Sequence, residues 1–344
     1  MNAKAIYLLS SGQDLKALEG FVNSVFAEKA EAESWEPWKY FQKRLGAMLA
    51  NPRGFYHSFT IPKKSGGSRQ IDAPQKSLKL LQASLIPVFE AMLVPSPDAF
   101  GFLPGRSIVD NAKAHLGKDT VLNVDIKGFF PSITTGRLTT VFRNAKDVQV
   151  SAYMARSLAR LVTLDGRLPQ GSPASPVLTN LVSVRLDARL AGLARKYGCR
   201  YSRYVDDISF SASGPRALHR LMPHLESILN REGFGLNPDK TRIQSASMRQ
   251  EVTGLVLSHA KSTVPVQVNT PRKFRRVTRS MLHSWRQHGL LDAATRSGMV
   301  GDGASGAFVN TVRGRIAHLR HVAETAEVQR FKVDFDELIK RDLK

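Results

Sequence analysis

Cysteine is almost absent from this chain: Cys199 is the only one in 344 residues, which excludes an internal disulfide and suits a reducing compartment. Its neighbours on the way to Tyr204 favour extended structure, so a packing role is expected for it rather than redox chemistry. Long apolar runs are missing as well. The stretch Ala5-Ile6-Tyr7-Leu8-Leu9 is too short for a membrane span or a signal core, and Ser10-Ser11-Gly12-Gln13-Asp14 comes directly after it. No later segment approaches a spanning length, and the expectation is a cytoplasmic protein with no membrane partner. Acids are scarce: 29 Asp and Glu stand against 50 Lys and Arg, a formal net charge of +21. Such an excess points to a polyanionic partner.

No internal repeat or extended low-complexity tract is present, and the length is sufficient for a substantial core. Leu15, Leu18, Phe21, Val22, Val25 and Phe26 recur at helical spacing, and Pro37, Pro52 and Gly54 punctuate the route towards residue 56. A second helical pattern covers 78–93, ended by Pro95 and Pro97. A third covers 177–194, with Leu178, Leu181, Val182, Leu186 and Leu190 on one apolar stripe that reads as a core face. From about Thr270 the chain is helix-rich and basic. The Gly-rich 301–306 lacks the Lys-Ser/Thr of a nucleotide P-loop and reads as a loop between helices.

The most informative stretch is Tyr204-Val205-Asp206-Asp207. Residues 199–204 and 208–213 are rich in β-formers, which places the Asp pair at the tip of a hairpin. Adjacent carboxylates repel unless a cation lies between them, and a hard divalent ion with oxygen ligands is the natural solution. A solvated surface turn is the ordinary reading of an isolated Asp-Asp. Upstream, however, the short apolar strand 121–126 carries Asp125 at its end, where desolvation is costly without a cation or a donor. Asp125, Asp206 and Asp207 together would form a cradle for two metal ions, the arrangement that serves phosphoryl transfer. The plainer reading of Asp125 is a strand-end acid capping the next turn.

The order of these pieces resembles a reverse transcriptase. Residues 56–64 (YHSFTIPKK) and 66–74 (GGSRQIDAP) are similar to the family's fingers motif, and 100–107 (FGFLPGRS) to the template-side segment after it. Residues 168–176 (LPQGSPASP) resemble the palm motif between the two Asp strands, and 235–241 (GLNPDKT) the segment after the Asp pair. The match runs from about Tyr56 to Leu257 in the family's order. Asn111-Ala112-Lys113-Ala114-His115 and Val252-Thr253-Gly254 are similar to two elements of one branch, the bacterial retron reverse transcriptases.

This resemblance implies an α+β right-hand polymerase. Residues 1–55 would be a helical extension, 56–118 the fingers (with 137–167 inserted between palm motifs), 119–136 and 168–258 the palm, and 259–344 a helical, RNA-binding thumb. Asp125, Asp206 and Asp207 would hold two Mg²⁺ ions, with the Ile126 carbonyl as an extra ligand and Asp207 as the weaker one. Lys63, Lys64 and Arg69 would meet the triphosphate of an incoming dNTP, while Gln170 and Gly171 line its pocket, Gly171 by close backbone approach. Phe130 falls at the aromatic sugar gate, with Phe129 in the core, although the two rings are interchangeable in sequence. Lys240 would contact phosphate or donate a proton to pyrophosphate. Asn111, His115, Val252, Thr253 and Gly254, with Arg272, Lys273, Arg275, Arg276 and Arg279, would read RNA, helped by His318, Arg320 and His321. A solvated helix face is the plainer reading of the thumb charges, and a cap or strand end that of the retron elements. Val205 departs from the Ala common at its position.

The branch further implies a cognate structured noncoding RNA, priming from the 2′-hydroxyl of an internal guanosine, and a branched RNA–DNA product (msDNA). A role in antiphage defence beside a separately encoded effector protein is also implied. A reverse transcriptase of group II intron or diversity-generating type, a non-catalytic RNA-binding scaffold, and an RNA-templated RNA polymerase are the alternatives.

Overall fold

The helical spacing at the N-terminus becomes two helices, Ala3–Ser11 and Leu15–Ala30, with Leu18, Phe21, Val22, Val25 and Phe26 buried and Leu15 left at the surface. The computed structural model describes residues 3–30, 44–63, 66–146, 148–258 and 267–343. Pro37 and Lys64 therefore lie outside the described residues. The second predicted helix spans Lys76–Ala91, and the third Ser175–Lys196. All five stripe residues of the third are buried, but so are its Thr179, Asn180, Ser183 and Asp187. That helix is enclosed nearly all round, and its polar residues must find partners inside.

Helices are interspersed with antiparallel strand pairs, an α+β arrangement. Strands β1 (Tyr56–Pro62) and β2 (Ser68–Pro74) pair antiparallel as a ribbon, from Tyr56 opposite Pro74 to Pro62 opposite Ser68. Four strands form the sheet that matters most for chemistry: β3 (Thr120–Lys127), β4 (Arg200–Tyr204), β5 (Asp207–Ala212) and β6 (Gly235–Ser245), in the order β4-β5-β3-β6. A small antiparallel sheet comes next in the chain, of β7 (Gln250–Val252), β8 (Leu255–Ser258) and β9 (Gln267–Asn269).

The chain divides into two compact units. One comprises Met1–Arg106, Val124–Ile208 and His219–Thr241; the other comprises Ser107–Asn123, Ser209–Leu218 and Arg242–Lys344. In the first, Phe89 and Phe142 stack at 5.2 Å within the core. In the second, Trp285 meets Phe308 and Phe335 edge-on at 5.8 Å each and donates its indole N–H to Asp342 at 2.7 Å. These rings tie together the helices Arg272–His288, Ala304–Val322 and Ala326–Asp342. The Gly-rich segment is only half a loop: Gly303, at φ +90°, ends the turn and the helix begins at Ala304. Among the described residues no helix is long and apolar enough to cross a membrane.

Candidate active site

Strand order brings the acids together. Asp206 stands at the turn entering β5, Asp125 near the end of β3, and the two strands are neighbours. The Ile126 N–H donates to the Asp206 carbonyl at 3.1 Å, which sets the two acids side by side. On the other side of β3, strand β6 supplies two donors to Asp125. Lys240 Nζ lies 2.7 Å from Oδ1, and Asn237 Nδ2 lies 3.0 Å from Oδ2. Burial lifts the Asp206 carboxyl above its usual range and the nearby Asp125 adds to this, while Lys240 and Arg69 pull it back. The hydrogen bond to Asp125, then the charges of Asp125, Asp206 and Asp207, raise the Lys240 ammonium in turn.

These groups open into a cleft of about 990 Å³. Of the residues singled out in the sequence, Lys63, Arg69, Asp125, Ile126, Gln170, Asp206 and Lys240 line it. Asp207, Phe130 and Gly171 do not, and Lys64 is outside the described residues. Asp207 is exposed at the start of β5. Phe130 is half-buried and edge-on to Phe129, with 5.9 Å between ring centres. Phe129 lines the cleft although it is almost fully buried, and its ring packs on Phe234 at 5.5 Å. Gly128, at φ +56°, turns the chain into the short helix Phe129–Ser132.

Gly171 does provide a close approach, but to the protein itself. Its φ is +132°, and a Cβ there would lie 2.7 Å from the Asp72 carbonyl oxygen. The Asp72 N–H donates to the Gln170 carbonyl at 2.7 Å, so β2 and the Pro169-Gln170-Gly171 turn are fixed to each other. Gln82, fully buried, holds the same turn from behind: it accepts from the Ser172 hydroxyl at 2.8 Å and donates to Tyr56 Oη at 2.8 Å. Burial pushes the Tyr56 hydroxyl up to about 12. Gln82, Lys127 and Arg167 escape a reading of the sequence. The last two line the cleft, and only their neighbours in space distinguish them from ordinary surface cations. A Gln between Leu81 and Leu85 is the one visible signal for Gln82.

A hard divalent ion fits the donor set at Asp125 and Asp206, two carboxylates set side by side, one of which already attracts the Lys240 ammonium. The expected third ligand is not gathered with them: among the described residues no group of three or more His, Cys, Asp or Glu side chains is disposed to share a metal.

The elements expected to read RNA separate into two kinds. Asn111, His115 and Val252 are fully enclosed. Asn111 Nδ2 reaches Thr253 Oγ1 at 3.5 Å, Thr253 donates to the Ile108 carbonyl at 3.3 Å, and His115 Nδ1 meets Ser211 Oγ at 2.7 Å. Val252 packs with Val109, Ala112, Leu255 and Leu257. The two retron-like elements are thus joined in one core, while Lys113 in the first, and Thr253 and Gly254 at the turn between β7 and β8, reach solvent. By contrast, Arg272, Lys273, Arg275, Arg276 and Arg279 line a groove of about 510 Å³ together with Glu327. Glu327 lies 3.5 Å from Arg275 and also pairs with Arg279. His318 packs edge-on to Phe274 at 5.1 Å, and burial lowers its imidazole. Arg320 pairs with Glu324 at 3.0 Å.

The chain is 39% identical over 243 residues to the retron Mx65 reverse transcriptase of Myxococcus xanthus, covering 66% of this chain and 55% of that protein. It is 34% identical over 278 residues to the retron Mx162 reverse transcriptase of the same organism, covering 70% and 57%. The chain therefore spans little more than half the length of these curated relatives. A solved telomerase from Candida albicans, in complex with a fragment of telomeric RNA, aligns with 89% of this chain and 65% of that one, at 10% identity and a TM-score of 0.45. The pattern of the family described as reverse transcriptase (RNA-dependent DNA polymerase) matches residues 61–288, and the chain belongs to that family.

Proposed function

We propose that the chain is an RNA-directed DNA polymerase of the retron kind, copying part of a cognate structured noncoding RNA into DNA. The observation that supports this best is the convergence of Asp125 and Asp206 with Lys63, Arg69, Gln170 and Lys240 on one cleft. In this reading the β1–β2 ribbon belongs to the fingers, the four-stranded sheet to the palm, and the C-terminal helices to the thumb. Asp125 and Asp206 would hold two Mg²⁺ ions, with Asp207 and the Ile126 carbonyl as further candidates. Such ions, when bound, activate an attacking hydroxyl and neutralise charge on the leaving oxygen.

The chain's own residues supply the rest. Arg69 and Lys63 meet the triphosphate, Arg as a two-pronged donor and Lys as a mobile charge. Lys240, once released from Asp125, is free to protonate the departing pyrophosphate. An aromatic ring beside Asp125 excludes a ribose 2′-hydroxyl and so favours dNTPs. Arg272, Lys273, Arg275, Arg276 and Arg279 bind an RNA backbone by charge, which makes the affinity salt-dependent. Priming from the 2′-hydroxyl of an internal guanosine, a branched msDNA product, antiphage defence and a separate effector protein complete the proposal.

The test is to express the chain with its native flanking DNA and sequence the nucleic acid that co-purifies, beside an Asp206→Asn/Asp207→Asn control. Short DNA joined to RNA by a 2′-linked branch, absent from the control, is the expected result. Unbranched cDNA would remove the retron part, and RNA without DNA in both samples would refute polymerisation. Phe129→Ala and Phe130→Ala, assayed for ribonucleotide incorporation, identify which ring is the gate.

A further inference from the structure

Val205 adopts a backbone angle that its side chain disfavours. Its φ is +60° at a β-branched residue, a conformation that persists only where the surroundings over-determine it. Those surroundings are specific. Arg203 and Asp187 are enclosed, at 0% and 1% side-chain exposure. They meet through two bonds of 2.7 Å, Nε to Oδ1 and Nη2 to Oδ2. Tyr201 donates its hydroxyl to Asp187 Oδ1 at 2.7 Å. Burial opposes the charge on Arg203, and Asp187 more than offsets it, so the guanidinium stays protonated.

The same guanidinium reaches the turn. Nη2 donates to Asn180 Oδ1, and Nη1 donates to the Val205 carbonyl, both at 3.1 Å. Asn180 passes the constraint on, donating to the Gly101 carbonyl at 2.9 Å. Gly101 lies directly against the turn: a Cβ there would stand 2.7 Å from both the nitrogen and Cγ2 of Val205. Val205 is therefore gripped through its carbonyl by Arg203 and through its nitrogen and side chain by Gly101. The next residue is Asp206.

We propose that Arg203, anchored by Asp187 and Asn180, is a positioning residue for the carboxylate pair: it fixes the left-handed Val205 and thereby the placement of Asp206 beside Asp125. A buried ion pair alone is weak grounds for a stabilising role, because well-packed apolar residues often replace one without loss. What an apolar pair cannot do is serve a carboxylate, an amide and a backbone carbonyl at once. That task takes four of the five donors of a rigid fork, which excludes Lys as well. The inference rests on the polymerase reading for its catalytic consequence.

Two full-length variants test it. Arg203→Met/Asp187→Leu removes ion pair and tether together, and Arg203→Lys keeps a charge for Asp187 without the fork. After a circular-dichroism check of folding, each is measured for dNTP incorporation on a primed RNA template and for Mn²⁺ binding without nucleic acid, by electron paramagnetic resonance. Expected are a kcat at least tenfold lower, a dNTP KM within twofold of the parent, and Mn²⁺ binding at least threefold weaker. If the double variant does not fold, Arg203→Lys decides on the same readouts. A folded variant with parental kcat and Mn²⁺ affinity overturns the assignment, as does a change in KM alone. A parent chain that incorporates no nucleotide refutes the polymerase reading instead, and Mn²⁺ binding then still decides what Arg203 does.

Discussion

Replacing Lys240 with Met separates two things that a cation does in the carboxylate cleft. Lys240 Nζ stands 2.7 Å from Asp125, with the Lys side chain 55% exposed and the Asp side chain 9%. That asymmetry sets the magnitude. The pair belongs nearer the ~0–1 kcal/mol of exposed ion pairs than the ~3–5 kcal/mol lost when a buried pair is severed. Asn237 still donates to the other oxygen of Asp125, so the carboxylate is not orphaned. A loss of about 1 kcal/mol is expected in chelator, or roughly 2–4 °C in Tm for a cooperative unit of about two hundred residues.

The same substitution removes a positive charge that a divalent ion at Asp125 would have to face. At a separation of about 5 Å and the dielectric of water, that repulsion is about 1–2 kcal/mol, so Mn²⁺ should bind the variant roughly five- to thirtyfold more tightly. Thermal melts in chelator and in millimolar Mn²⁺, with a Mn²⁺ titration, measure both. The Tm deficit should shrink as the ion binds, even though polymerisation slows for want of the proton donor. Unchanged or weaker Mn²⁺ binding would refute the idea that Lys240 stands where an ion is attracted.

Three further outcomes are expected. Gly171→Ala forces a Cβ to within 2.7 Å of the Asp72 carbonyl at φ +132°, and should cost about 2–3 kcal/mol in a thermal melt; a parental Tm would mean the turn and β2 are free to part. Because the Asp206 carboxyl is raised, by burial first and Asp125 next, the folded state holds that proton more tightly than the unfolded one. Its stability contribution is present at low pH and lost as pH rises through the raised value, so in chelator Asp206→Asn should melt above the parent at neutral pH and match it below about pH 3.9. In the basic groove, Glu327→Gln should tighten RNA binding by releasing Arg275 and Arg279, while Lys273→Ala and Arg276→Ala should each flatten the salt dependence by about one phosphate contact; an identical slope in all of them would place the RNA elsewhere.

The carboxylates are legible in the sequence because two of them are adjacent and the third closes an apolar strand, patterns that mean the same in almost any context. The helix Ser175–Lys196 is legible in its apolar stripe for a similar reason. Its Asn180 and Asp187 are not, since a polar residue on a helix reads as solvent-facing until its partner is known, and Arg203 arrives from a strand that reads as part of a hairpin. Gly171 reads rightly as a place of close approach, but only the strand that meets it, β2, says what approaches. Asn111 and His115, by resemblance, should face RNA. Instead Asn111 meets Thr253, 142 residues later, and His115 meets Ser211 on β5, 96 residues later, separations over which local pattern carries no information.

The cleft sorts its charges by mobility. Its acids are fixed: Asp125 is enclosed on β3, and Asp206 is held by the Ile126 N–H. Its cations, Lys63, Arg69, Lys127, Arg167 and Lys240, all sit on exposed side chains with long flexible stems. Long stems can track a triphosphate as it enters, at a cost in side-chain freedom, while two rigid carboxylates cannot retreat from one. A triphosphate seated among those cations therefore meets Asp125 and Asp206 as repulsion, unless positive charge lies between them. Lys240 supplies one such charge from a side chain that is itself free to leave. A hard divalent ion supplies more, and its affinity and that of the nucleotide must then rise together, because coupling between two sites is reciprocal. If the chain polymerises as proposed, its excess of basic residues would draw a polyanion in, and the few acids on rigid strands would make productive seating conditional on a metal.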